Sequence, residues 1–175
     1  MSRAPHPLEE IGLPPGGDGP ITRPPPGASA KIVALYEYWR RIAPGPGLLP
    51  GRQHLDPTDI PQLLPYVWLV DVAGSPPRFR CRLAGTALVS AGSPLRPGID
   101  LEDLVAPALK GKAMSEFCFV AETRQPLWFR GKANASYDKQ IFELERIHLP
   151  LAADGTTVTM LLCLTVFYET TGKEW

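Results

Sequence analysis

Three histidines and three cysteines are the residues from which proton transfer, nucleophilic attack or metal binding would be built: His6, His54 and His148, with Cys81, Cys118 and Cys163. Their surroundings assemble no reaction. No Gly-x-Ser-x-Gly phrase, His-Glu pair or Gly-x-Gly-x-x-Gly loop accompanies the histidines. His6 falls in a Pro-rich stretch, His54 stands beside the Asp56-Pro57 helix-start signal, and His148 alternates with apolar residues near a strand end. These are settings for structural histidines; His148 alone is placed to serve as a buried acid or base. The cysteines are far apart and form no Cys-x-x-Cys, so buried, reduced thiols are expected, with no disulfide framework and no metal site.

Charged residues give two further patterns. Glu143 and Glu145 are two apart on a predicted strand and share a face, as a catalytic carboxylate pair would, but Arg146 adjoins them and the pattern suits a solvated outer face. Arg78, Arg80 and Arg82 form a basic row that would suit an anionic ligand, and alternation around a buried strand produces the same row with no ligand. Over the whole chain, 18 Lys plus Arg balance 18 Asp plus Glu, so no net field draws the protein to nucleic acid or to an anionic membrane.

A length of 175 residues with 44% hydrophobic content predicts one globular domain. Eight of the 21 prolines fall before residue 28, beside five glycines, so residues 1–28 read as a disordered or polyproline-like arm. No run reaches the roughly 18 apolar residues of a membrane-spanning helix, and the N-terminus lacks a leader's apolar core, so a cytoplasmic location is expected.

Ser29 caps a predicted helix over 31–43, whose stripe of Ile32, Leu35, Tyr36 and Trp39 recurs at helical spacing. Asp56-Pro57-Thr58-Asp59 announces a short helix. Residues 67–72 and 78–83 then alternate as a hairpin, with Phe79, Cys81 and Leu83 toward the core and Asp71 able to pair with one of the arginines. Short helices over 86–91 and 101–105 lead to a long one running from Pro107 to about Thr123, with Leu109 on its apolar face. Three strands follow, at 127–133, 141–149 and 156–168, the last two joined by an Asp154-Gly155 turn; residues 169–175 are a tail. The sum is an α+β domain over 29–168: a five-stranded antiparallel sheet with a helical crossing on one face and an amphipathic entry helix.

An apolar set should face the space between sheet and long helix: Phe79, Cys81, Leu83, Met114, Phe117, Cys118, Phe129, Leu144, Met160 and Leu162. It reads equally as a ligand pocket and as a filled core.

The order of elements resembles the PAS fold. The phrases Leu35-Tyr-Glu-Tyr-Trp39, Leu55-Asp-Pro-Thr-Asp-Ile60, Leu63-Leu-Pro65, Phe79-Arg-Cys-Arg-Leu-Ala-Gly-Thr86 and Leu149-Pro-Leu-Ala-Ala-Asp-Gly155 resemble a bacterial family of short stand-alone PAS proteins with no attached output domain. The resemblance implies a non-enzymatic sensory module in signal transduction, holding a small apolar ligand in its core, a protein partner, or both; a pure interaction or scaffold domain with a filled core is the alternative. It leaves the cofactor unknown. Flavin photochemistry in similar domains needs a cysteine in an Asn-x-Cys-Arg-Phe phrase, whereas Cys81 lies in Phe-Arg-Cys-Arg-Leu. Haem in similar domains usually takes a histidine from the long helix, and residues 105–123 contain none, which leaves only Met114 or Cys118 as ligand candidates. The resemblance also implies a homodimer through the entry helix, with Ile32, Leu35, Tyr36 and Trp39 as the contact stripe.

Overall fold

The computed structural model describes residues 20–105, 107, 110–133 and 138–175. Most of the proline-rich arm, and Leu109 of the long helix, lie outside the described residues. The first helix, α1 (Ala30–Arg41), starts where Ser29 Oγ accepts from Lys31 N at 3.3 Å. Asp56 caps a single 3-10 turn over Pro57–Asp59, its carboxylate accepting from Thr58 N at 2.9 Å, so the short helix expected there is one turn long.

Strands β1 (Val67–Ala73) and β2 (Arg78–Ala84) form the expected hairpin, followed by α2 (Thr86–Ser90), a 3-10 turn at Leu101–Leu104 and α3 (Lys110–Thr123). Strands β3 (Leu127–Lys132), β4 (Ile141–Leu151) and β5 (Met160–Glu169) complete an antiparallel sheet of order β2-β1-β5-β4-β3. Leu151 pairs with Met160, so the β4–β5 connection is an eight-residue loop rather than a two-residue turn. Asp154 shapes it by accepting from Thr156 N at 2.8 Å and Thr157 N at 2.7 Å.

Each face of the sheet carries its own core. On one, Trp68, Val70, Phe79, Cys81, Leu144, Leu161, Cys163 and Phe167 pack against α2 and α3. On the other, Leu69, Ile147, Leu149, Leu162, Leu164 and Val166 pack against Ile32, Leu35 and Tyr38 of α1. The stripe expected to mediate a dimer is therefore spent inside the monomer: Ile32 and Leu35 are fully buried, while Tyr36 and Trp39 pack on the rim of the same cluster. A sheet buried on both sides needs that helix to cover its second face.

Three of the residues expected to face the long helix do not. Leu162 and Met160 face α1, because in β5 the residues 161, 163 and 167 turn toward α3. Leu83 is 44% exposed, because β2 pairs Cys81 with Val70 and Leu83 with Leu69, leaving Arg82 as an extra residue that reverses the alternation. The arginine row is paired internally, Arg78 and Arg80 to Asp100 at 3.1 and 2.9 Å and Arg82 to Asp71 at 3.5 Å.

Both ends of the described chain return to the sheet. Ile21 O accepts from Trp128 N of β3 at 2.8 Å, so the ordered body begins ahead of residue 28, where the arm was expected to end. Residues 173–175 lie beside β5 in the lane that β1 leaves after Leu164: Trp175 N donates to Phe167 O at 2.8 Å, and Glu174 pairs with Lys31 at the start of α1. On β2, Cys81 N donates to Ile99 O at 2.9 Å and Gly98 N donates to Cys81 O at 2.8 Å.

Candidate functional site

Between α2, α3 and the sheet lies a cavity of about 340 Å³. That is at the small end of the range for small-molecule sites, about 300–1,000 Å³. Four of the residues expected to line a pocket do so: Met114, Phe117, Phe129 and Leu144. Phe79, Cys81 and Cys118 pack in the same core without reaching the cavity. Leu83, Met160 and Leu162 lie on the other side of the sheet, as described above. The half of the core near Phe79 is filled, and the half near Met114 borders the open space.

The cavity wall also carries polar groups that the apolar list missed. Leu144, Arg146 and His148 alternate on one face of β4, so placing Leu144 in the pocket already placed Arg146 beside it. Arg146 Nη2 donates to Glu116 Oε2 of α3 at 3.5 Å, and its guanidinium lies 5.2 Å from the Phe129 ring centre. Its Nε is buried with no hydrogen-bond partner among the described residues. Thr165 of β5 accepts from Trp68 Nε1 at 3.1 Å, and Lys132 and Ser93 complete the polar part of the lining.

Behind this wall, His148 is wedged among aromatic rings. It stacks on Phe117 with centroids 4.8 Å apart and meets Trp68 edge-on at 5.6 Å, both of them cavity residues. Neither ring nitrogen has a hydrogen-bond partner among the described residues. It is thus a buried histidine whose polar atoms are unsatisfied. Burial, with a smaller contribution from Arg146, lowers its pKa to about 3. Burial likewise pushes the thiols of Cys81, Cys118 and Cys163 up, against nucleophilic use.

On the opposite face, Glu145 overturns the expectation of a solvated carboxylate pair. It is fully buried, whereas Glu143 pairs near the surface with Arg130 at 2.9 Å. The Glu145 carboxylate accepts from Ser29 N at 3.0 Å, from Trp128 Nε1 at 2.8 Å and from Tyr168 OH at 2.7 Å. Those bonds tie the start of α1 to β3, β4 and β5. Burial and the bond to Glu145 push the Tyr168 phenol well up.

Among the described residues no helix is long and apolar enough to cross a membrane. No curated protein matches the chain, and no solved structure does. A family model described as PAS domain matches residues 28–165, most of the chain, from α1 through β4 and into the first half of β5. The chain belongs to the PAS domain family.

Proposed function

We propose that the chain is a non-enzymatic sensory module that binds a small molecule in the cavity between α3 and the sheet and passes its occupancy to α1. PAS domains are sensory and signalling modules. The observation that carries the reading is the cavity of about 340 Å³, lined mostly by apolar residues with a few polar groups among them, as small-ligand sites are. The route outward is β4. Arg146 touches the cavity, and the next residue, Glu145, holds Ser29 N at the start of α1 from the opposite face. A ligand that displaces β4 by a few tenths of an ångström changes the geometry of that bond. Differential affinity for the two arrangements is the signal.

Native mass spectrometry of the purified chain, compared with the denatured protein, tests the reading. An added mass that leaves on denaturation and is absent from Ala113→Phe, which fills the cavity from α3, supports it. A bare polypeptide mass, together with an unchanged thermal shift across a small-molecule panel in both proteins, overturns it in favour of an interaction domain.

A further inference from the structure

We infer that the cavity takes a small amphipathic acid, with an apolar body along the Met114, Leu144 and Phe129 wall and a carboxylate at Arg146. The inference rests on the cavity being the ligand site. Its basis is the imbalance of hydrogen-bonding groups around that space. Arg146 and Lys132 bring two cations to the lining and Glu116 one carboxylate, a surplus of one positive charge. Glu116 is engaged by Arg146 at 3.5 Å, so its charge is already balanced within the lining and the surplus favours an anion over a cation. The donors are open. Arg146 Nε is buried without a partner. Thr165 Oγ1 accepts from Trp68 and Ser93 Oγ accepts from Leu95 N, which leaves both hydroxyl protons to be donated.

A buried donor with no acceptor is costly, and an anionic acceptor is the partner that recovers the most from it. The apolar remainder of the wall excludes a small, fully hydrated anion, whose desolvation would go uncompensated. The volume equals that of about eleven waters at about 30 Å³ each, which limits the ligand to a short body.

The test uses the full chain at pH 7 and three probes of equal chain length: octanoate, octan-1-ol and octylammonium, titrated by calorimetry and by tryptophan fluorescence, in which Trp68 is the tryptophan that lines the cavity. Octanoate should bind at least tenfold more tightly than octanol, with octylammonium weakest. Arg146→Met alone removes the cation beside the buried Glu116 carboxylate, so the informative variant is Arg146→Met with Glu116→Gln, in which octanoate and octanol should agree within twofold. Lys132→Met, at an exposed position, keeps the fold and should weaken octanoate while leaving octanol unchanged. Octanol binding as tightly as octanoate overturns the acid while the cavity reading stands. A tenfold preference that survives the double variant overturns the role of Arg146. No binding of any of the three, with no difference between the native chain and Ala113→Phe, overturns both the inference and the reading beneath it.

Discussion

Glu145 and Arg146 are consecutive on β4, yet their side chains serve opposite sides of the sheet: Arg146 lines the α3-side cavity, and Glu145 is buried against the start of α1. The period of a strand makes this unavoidable, since successive side chains leave opposite faces. A sheet with a core on each face thereby has a direct connection between them, one peptide bond long.

Glu145→Gln should destabilise the protein by about 1–3 kcal/mol, because it removes the buried charge and one of two acceptor oxygens: the remaining oxygen can serve Trp128 Nε1 and Ser29 N, while the NH2 forces Tyr168 OH to turn from donor to acceptor. Glu145→Leu leaves all three donors unsatisfied and should cost about 3 kcal/mol or more. Urea denaturation measures both, and amide exchange at the first turn of α1 should accelerate in each. Stability equal to the native chain would show that α1 is held by its apolar face alone.

His148 makes the fold acid-sensitive. Its folded pKa of about 3 lies below the usual 6.5, so the unfolded chain takes up the proton first. The contribution is fully present above pH 6.5 and is lost as pH falls from there toward 3, at about 1.4 kcal/mol per pH unit. Between pH 7 and pH 5 the native protein should therefore lose about 2 kcal/mol through this residue. His148→Leu should be at least as stable at pH 7, since it removes two unsatisfied nitrogens, and should lack that loss. Denaturation midpoints of both proteins at the two pH values decide it; parallel pH dependence would reject the assignment.

The extra residue in β2 turns Leu83 to the face of the sheet that Leu162 shares, but leaves it exposed on the outer strand while Leu162 is buried beneath α1. Leu83→Ser should change stability by no more than about 0.5 kcal/mol, whereas Leu162→Ala should cost about 2–5 kcal/mol. Paired thermal melts check this, and a large loss at Leu83 would contradict the observed register.

Two glycines should respond to alanine in opposite directions. A Cβ on Gly85 would stand 2.2 Å from Pro65 O and 2.7 Å from Leu64 O, both backbone atoms that cannot swing away. Gly85→Ala should cost about 1–3 kcal/mol. Gly111, inside α3, has nothing within 4 Å of such a Cβ, and Gly111→Ala should stabilise the protein by about 0.5–1 kcal/mol. Differential scanning calorimetry of the two variants reads both signs.

Strand and helix order were legible because Arg78–Ala84 alternates, because Ser29 and Asp56 carry capping chemistry, and because the α1 stripe has helical spacing. Facing was harder to read. Residues 161–167 of β5 are buried on both sides, so their apolar run holds no alternation to mark which belong to the cavity side. The burial of Glu145 depends on Ser29, 116 positions away, whose backbone returns to cover it. Arg146 was the recoverable omission, since Leu144 and His148 flank it on the same face.

Both outer strands of the sheet hydrogen-bond to the chain's own backbone, β2 at Cys81 to Gly98 and Ile99, and β3 at Trp128 to Ile21. An outer strand with free N–H and C=O groups is a template for another chain, and it is where fibrous aggregates commonly begin. Here an incoming strand must first displace covalently attached segments that sit in place at high effective concentration. Resistance to aggregation is thereby set at the margins of the sheet, and it fails first where residues 20–28 or 98–100 peel away.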